Sequence, residues 1–594
     1  MNATAAAPES TQTLLELLNS AKNRFTPADC RTKVNLLRIL REREVRDVPC
    51  LIQFHEILSF LRAYPDSPEV LRLVEESLEG FAARVDLVKV TGRSAELKKL
   101  RDTGIVHTTV YYPYPHAMAK WLVNHFPRDV EMDWEDDAGI DKICAILPLL
   151  VAYAENDALD DERIALRDWV RAAKGTRDVS DLQWLLELLR RSPLSPEIIR
   201  NLYDGAELLL GWELCDAAAS RTLAGCPAGR IFHHRGPLKR GQIDFLREIR
   251  KPLPAVKVVS LRTAEALIHL FRCALSVRNR ELHPLLYANP QDVMVADLDR
   301  GLRIVLVGVI PEFRLPLEGY YSFLVLKNGV PVGYGGGGPL LDRLEIAGNI
   351  FETFRQGESV YIFSQVYRAF HHLCGSDYFL VPRYQVGYEN DEALDSGAFW
   401  FYHKLGFRPE DPDVYKLAEE EQAKIKADSS YRSSRKTLEA LAQSDMSLRL
   451  KDGTGWRSKV LQPGGLGFRV SLHIAQKFQG DRAAAIRAAT QQVAQHLDIR
   501  AWRRWSGPEQ MALERLSPIL VLIPDLARWS SAEKRSLVRI IRAKGGRSEA
   551  AYVRLLRGHV RLARSLHALA DSATPLPVPT RQTGPMSPGH SPGV

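Results

Sequence analysis

Between residues 344 and 407 the chain reads "LEIAGNIFETF", "RQGES", "VYIFSQVYRAFHHLCG", "SDYFLVPRYQVG" and "YENDEALDSGAFWFYHKLGF". The order is strand, glycine turn, helix, strand, helix. A strand that passes through Arg355, Gln356, Gly357, Glu358 and Ser359 into a helix leaves the first helical amides unpaired, where an anion such as a diphosphate accepts them. Gly357 would let the backbone come close to such a group. The last helix adds Tyr402, a phenol with a transferable proton. Both residues also have plainer uses. Tyr402 lies three residues after Phe399 and three before Leu405, a spacing that packs a ring against a sheet, and glycine is common in strand-to-helix turns.

Other clusters are weaker. "EMDWEDDAGID" gathers Glu131, Asp133, Glu135, Asp136, Asp137 and Asp141, but the spacing fits no calcium loop, and acids ahead of an apolar run are usual in a first helical turn. No metal site is expected. "YYPYPHAMAKW" puts Tyr114 and His116 in a proline-rich turn, read as packing between domains. "IFHHRGPLKRG" joins His233, His234, Arg235, Lys239 and Arg240; adjacent histidines point apart and ligate poorly together, while the basic loop suits a phosphate. "GYGGGGPL" lacks the GK[ST] ending of a phosphate loop and reads as a flexible strand edge or access loop. His371 and His372 read as partly exposed helix residues.

The elements that carry these residues sit inside a long chain. Its 594 residues, 45% hydrophobic and 26% charged, provide for about three domains at roughly 150–200 residues each. Residues 1–250 show helical spacing throughout, as in "VPCLIQFHEILSFLRAY" and "DLQWLLELLRRS". From 251 to 415 the texture is mixed α/β, with "AVKVVSL", "LRIVLVGVI" and "YYSFLVLKNGVPVGYG" as strands and Asn328-Gly329 as a hairpin turn. Strands are expected at about 344–354 and 377–386, and helices at about 359–373 and 391–404. Residues 416–571 read as helical and basic, with fourteen Lys and Arg against five acids between 501 and 570. The Pro-, Gly- and Ser-rich stretch 572–594 reads as a disordered tail. The fold class is therefore mixed α/β, with the α/β domain flanked by all-helical regions.

Seven cysteines without a CxxC pair fit neither a disulfide framework nor a cysteine zinc site. No apolar run approaches the length of a membrane span, and the first residues lack a signal-peptide pattern, so a cytoplasmic protein is expected. A net charge of +8 is modest for this length and does not by itself imply nucleic acid.

The segment 344–407, and more broadly 255–415, resembles the Gcn5-related N-acetyltransferase (GNAT) superfamily. Its acyl-coenzyme A motif is a strand, a Gln/Arg-x-x-Gly-x-Gly/Ala loop and a helix, then a strand ending near an Asn and a helix closing on Tyr-x-x-x-Gly-Phe. Here the closing part is Tyr402-His403-Lys404-Leu405-Gly406-Phe407, and Asn390 lies where the family's asparagine would. Aligned on Gly357, the loop departs at Phe354 and Ser359, Arg355 is displaced by one, and Glu358 would repel a diphosphate unless it turned to solvent or paired with a base.

The resemblance implies transfer of an acyl group, with acetyl the expected one, from acyl-coenzyme A to an amine on a small molecule or protein. Residues 355–359 and Asn390 would bind the cofactor, a backbone amide at Ile350 or Phe351 would hold the oxyanion, Tyr402 would act as acid, and Glu345, with Glu352 as second choice, as base. Neither a metal nor a membrane is implied. A non-catalytic acyl-thioester sensor or scaffold is the alternative that the imperfect loop favours. A nucleic-acid-linked, aminoacyl-tRNA-dependent transfer is a third reading, motivated only by the basic C-terminal helices.

Overall fold

The turn Asn328-Gly329 has φ of 49° and 82°, both left-handed, as a tight two-residue hairpin requires. It joins two long strands at the centre of a nine-stranded sheet. The computed structural model describes residues 10–240, 243–254, 256–280, 282–428, 430–451 and 460–571, so the 572–594 tail lies outside the described residues.

Twelve strands are described. A three-stranded sheet of β1 (Thr109–Tyr112), β2 (Val130–Met132) and β3 (Leu210–Glu213) lies in the first 250 residues. The large sheet contains β4 (Val256–Val258), β5 (Ala288–Asp297), β6 (Leu302–Val309), β7 (Tyr321–Lys327), β8 (Val330–Leu340), β9 (Arg343–Ile350), β10 (Tyr378–Val381), β11 (Arg408–Pro409) and β12 (Met446–Arg449). Its order is β11-β12-β10-β9-β8-β7-β6-β5-β4. Every pairing is antiparallel except β9 with β10.

The helices that matter for the site are α1 (Val48–Ala63), α2 (Leu261–Ser276), α3 (His283–Leu286), α4 (Ser359–Cys374), α5 (Asp391–Asp395), α6 (Ala398–Lys404) and α7 (Glu549–Gly558). The parallel pair is joined by α4, the crossover that parallel strands need. Phe370 of α4 lies over Gly337, and Phe363 over Gly348, so α4 covers one face of the sheet.

The mixed α/β class holds, with four corrections to the flanks and boundaries. The first 250 residues are not all helical, because the β-branched and aromatic "TVYY" pairs with "LGWE". Residues 446–449, inside the stretch read as the helical C-terminal region, form β12 between β10 and β11; the signal was the alternation of buried Met446 and Leu448 with Ser447 and Arg449. The strand expected at 377–386 stops at Val381, since Pro382 cannot donate to a ladder. The helix expected at 391–404 is two helices, parted at Gly397 with φ 69°.

The glycine run is another correction, being neither an edge nor a loop. Gly333–Gly338 lie within β8, flanked by β7 and β9. A Cβ on Gly335 would stand 2.2 Å from Ala347 O, and one on Gly336 1.8 Å from Tyr320 Oη. The glycines let neighbouring groups sit directly on the strand.

One apolar core includes residues from Phe25 to Leu569 and so draws on all three stretches of the chain, while a second joins Leu14 through Val106. The C-terminal helices dock on the sheet through α7, where Glu549 is buried against Arg314 at 3.4 Å and Lys544 at 3.8 Å. Several of their basic side chains are engaged by acids: Arg542 by Glu509, Arg557 by Asp342 and Asp377, and Arg561 by Asp525 and Glu533. Among the described residues no helix is long and apolar enough to cross a membrane.

Candidate functional site

Strands β9 and β10 pair only from Arg343–Tyr378 to Glu345–Leu380. Beyond that rung β9 continues to Ile350 paired only with β8, and a cavity of about 690 Å³ opens where β9 and β10 part. Phe351 N–H donates to Val332 O on β8 at 3.0 Å. By strand alternation the amides of Gly348 and Ile350 then face the other way, toward the cleft. Of the two expected oxyanion donors, Ile350 lines the cavity and Phe351 is excluded, because its amide is already bonded to β8.

The start of α4 forms one end of the cavity. Its N-cap position, Glu358, makes no side-chain cap, and among the described residues the amides of Ser359, Val360 and Tyr361 have no acceptor. Arg355, Gln356, Gly357 and Ser359 all line the space. Arg240 donates to the carbonyls of Gln356 and Gly357, fixing the turn from outside. Arg280 and Arg355 both engage Glu392, Arg280 at 2.9 Å. Three guanidinium groups, two of them on the single carboxylate Glu392, therefore stand around this mouth, leaving it cationic and suited to an anionic ligand.

Glu358 turns away from that mouth. It is 1% exposed, accepts from Lys239 N at 2.9 Å, and pairs with Arg300 at 2.6 Å and Lys327 at 2.9 Å. These cations and hydrogen bonds outweigh burial and hold its carboxyl at about 2, below the usual value. The expectation that Glu358 contacts a cofactor is corrected, and its repulsion of a diphosphate is removed by the same pairing. Gly357 also has a different reason to be glycine: a Cβ there would lie 2.5 Å from Tyr64 Oη, the side chain that follows α1 and reaches Glu358 N at 3.4 Å.

At the other side of the cleft, Tyr402 on α6 lines the cavity while its ring stands edge-on to Phe363 and Phe407. Among the described residues nothing hydrogen-bonds its hydroxyl. Burial raises its pKa well above the ordinary phenol value, so it stays protonated near neutrality and is able to donate. Asn390 lines the cavity too, but its side chain is spent locally: it caps α5 through Ala393 N at 3.1 Å and donates to Tyr384 O.

The two glutamates separate. Glu352 is exposed and does not line the cavity. Glu345 does not line the cavity either, but register places it on the same sheet face as residues that do. Ser322, Gly336 and Ala347 form one cross-strand row, Leu324, Tyr334 and Asn349 the next, and Gly338 with Glu345, continued to Tyr320, the row on the other side. Burial raises the Glu345 pKa above the usual carboxylate value, with Arg343 at 3.6 Å opposing.

Sequence reasoning missed Arg280, Glu392, Tyr320, Ser322 and Asn349, which line the cavity from separate elements. Their only common signal is spatial. His116, Tyr114 and the 131–141 acids lie elsewhere. Asp136 caps its own helix at Gly139 N and accepts from Leu209 N at 2.9 Å. His234 is packed among the rings of Phe25, Tyr64 and Phe232.

Comparison of the chain with protein-family models, curated proteins and solved structures gave no match.

Proposed function

We propose that this chain is an acyl-coenzyme A-dependent N-acyltransferase of the GNAT kind, acting in the cytoplasm on an amine. The observation that carries the reading is one cavity onto which both the unpaired amides of α4 and the unbonded Tyr402 hydroxyl open, at the point where β9 and β10 part. A diphosphate on the amides of Ser359 to Tyr361, with Arg240 and Arg355 beside it, sends the rest of the cofactor back along β9. Strands advance about 3.3 Å per residue, so a thioester at the end of that arm falls nearer Gly348 than Ile350. The Gly348 amide is then the preferred oxyanion donor.

In the transfer, the acceptor nitrogen bonds to the thioester carbonyl carbon and the carbon–sulfur bond breaks. Tyr402 gives its proton to the departing thiolate, and Glu345 takes the proton lost by the amine. One observation favours binding without turnover, as in an acyl-thioester sensor: Glu392, the one carboxylate among the cavity-lining residues, is tied to two arginines.

Thermal shift with coenzyme A and acetyl-coenzyme A, followed by acetyl transfer to a panel of primary amines, decides between them. The transferase reading expects stabilisation by both ligands and, for Tyr402→Phe, retained binding with turnover lowered by about a hundredfold or more. Stabilisation without transfer to any amine supports the sensor. Transfer unchanged in Tyr402→Phe removes the tyrosine from its role.

A further inference from the structure

Ser322 lies on β7, 1% exposed, with its Oγ buried and without a hydrogen-bond partner, yet it lines the cavity. An unbonded buried hydroxyl is costly unless a ligand supplies the partner. Its position is set by register. Ser322, Gly336 and Ala347 share a row that crosses the sheet next to Gly348, and the glycine and alanine form a floor on which the Tyr320 hydroxyl sits, 1.8 Å from where a Cβ on Gly336 would stand, between the cleft and the serine. Two strand spacings separate Ala347 from Ser322, about 9.5 Å. Above that floor the cavity is walled by Phe271 and Leu275 of α2 and by Leu285 of α3, all apolar. The compartment therefore has a polar end at Ser322 and Tyr320, apolar walls on the helix side, and an opening onto the amide of Gly348. It lies on the sheet face opposite Phe323, the residue that a Cβ on Gly335 or Gly348 would meet on the α4 side.

We infer that this compartment holds the acceptor, and that the acceptor is a primary amine on an unbranched aliphatic chain with a second hydrogen-bonding group at its far end, read by Ser322. The inference rests on the transferase reading and goes further by naming the acceptor class and its specificity residue. An alkyl acyl chain fits the compartment less well, since it leaves the Ser322 hydroxyl unbonded. Ser322 is a specificity residue; the transfer chemistry does not pass through it.

The test compares hexylamine with 6-aminohexanol, whose ends span a similar distance, in wild type and Ser322→Ala. The expected result is a KM for 6-aminohexanol about tenfold below that for hexylamine in the wild type, and equal values in Ser322→Ala, as loss of one hydrogen bond implies. Stabilisation by coenzyme A should be the same in both proteins, which also shows that the variant is folded. Equal use of the two amines by the wild type overturns the inference, as does a Ser322→Ala defect that affects both amines alike or removes the coenzyme A shift. If coenzyme A fails to stabilise the wild type, the parent reading falls. In that case the thermal shift given by 6-aminohexanol alone, present in wild type and lost in Ser322→Ala, still upholds the subsite, and its absence ends it.

Discussion

Glu358→Gln tests whether the carboxylate beneath the α4 turn is a structural counter-ion or a cofactor contact. The carboxylate and Lys327 are each about 1% exposed, and they pair at 2.9 Å. Arg300 retains some access to solvent, so removal of the negative charge strands Lys327 above all. Breaking a buried pair from one side costs about 3–5 kcal/mol. The shift of the Glu358 carboxyl from 4.5 to about 2 gives a similar figure, roughly 3 kcal/mol. Because the folded-state value is depressed, this stability is fully present above the ordinary glutamate value and is lost as pH falls toward 2. Urea unfolding followed by tryptophan fluorescence should show Glu358→Gln destabilised by about 3 kcal/mol at pH 7, with the gap reduced by more than half at pH 3. Lys327→Met added to Glu358→Gln should recover most of the loss, since it removes the orphaned charge. Coenzyme A stabilisation should persist in Glu358→Gln. A variant within about 0.5 kcal/mol of wild type, a gap that does not narrow in acid, or a double variant no better than the single would refute the counter-ion account.

Three further outcomes are expected. Glu345 must be deprotonated to act as base and burial raises its pKa, so kcat/KM should climb with pH through a limb above the ordinary carboxylate range; Glu345→Gln should abolish that limb and lower kcat about a hundredfold or more. Gly357→Ala places a Cβ against Tyr64 Oη and Phe354 O, and thermal melts should report a loss of about 1–3 kcal/mol, partly restored by Tyr64→Phe. Arg355→Ala should weaken coenzyme A about tenfold by calorimetry and flatten the salt dependence of binding, because a cation at the mouth is lost; unchanged affinity would move the diphosphate away from this turn.

Local pattern was enough for much of the fold. The Asn328-Gly329 hairpin, the helix from Ser359 and the β-rich runs between 302 and 340 were legible because each is fixed by neighbours in the chain. The short strands were not. "TVYY" and "MSLR" are four residues long and become strands only by pairing with segments far away in sequence. The glycine run misled for a related reason: its meaning lies in Tyr320, Phe323 and Phe370 pressing on it, and none of these adjoins it along the chain.

The site divides along the same line. The sequence by itself determined the glycine turn into a helix whose first amides lack partners, and the tyrosine of the closing helix, since helix ends and spacing are local properties. Only the tertiary structure decided that Glu358 faces a buried lysine and a partly exposed arginine, that the Phe351 amide belongs to β8, that Asn390 is a cap, and that Arg240, Arg280 and Ser322 come to one cavity. Charge pairing, strand register and cavity walls arise between residues far apart in the chain, and no periodicity within it encodes which of them will meet.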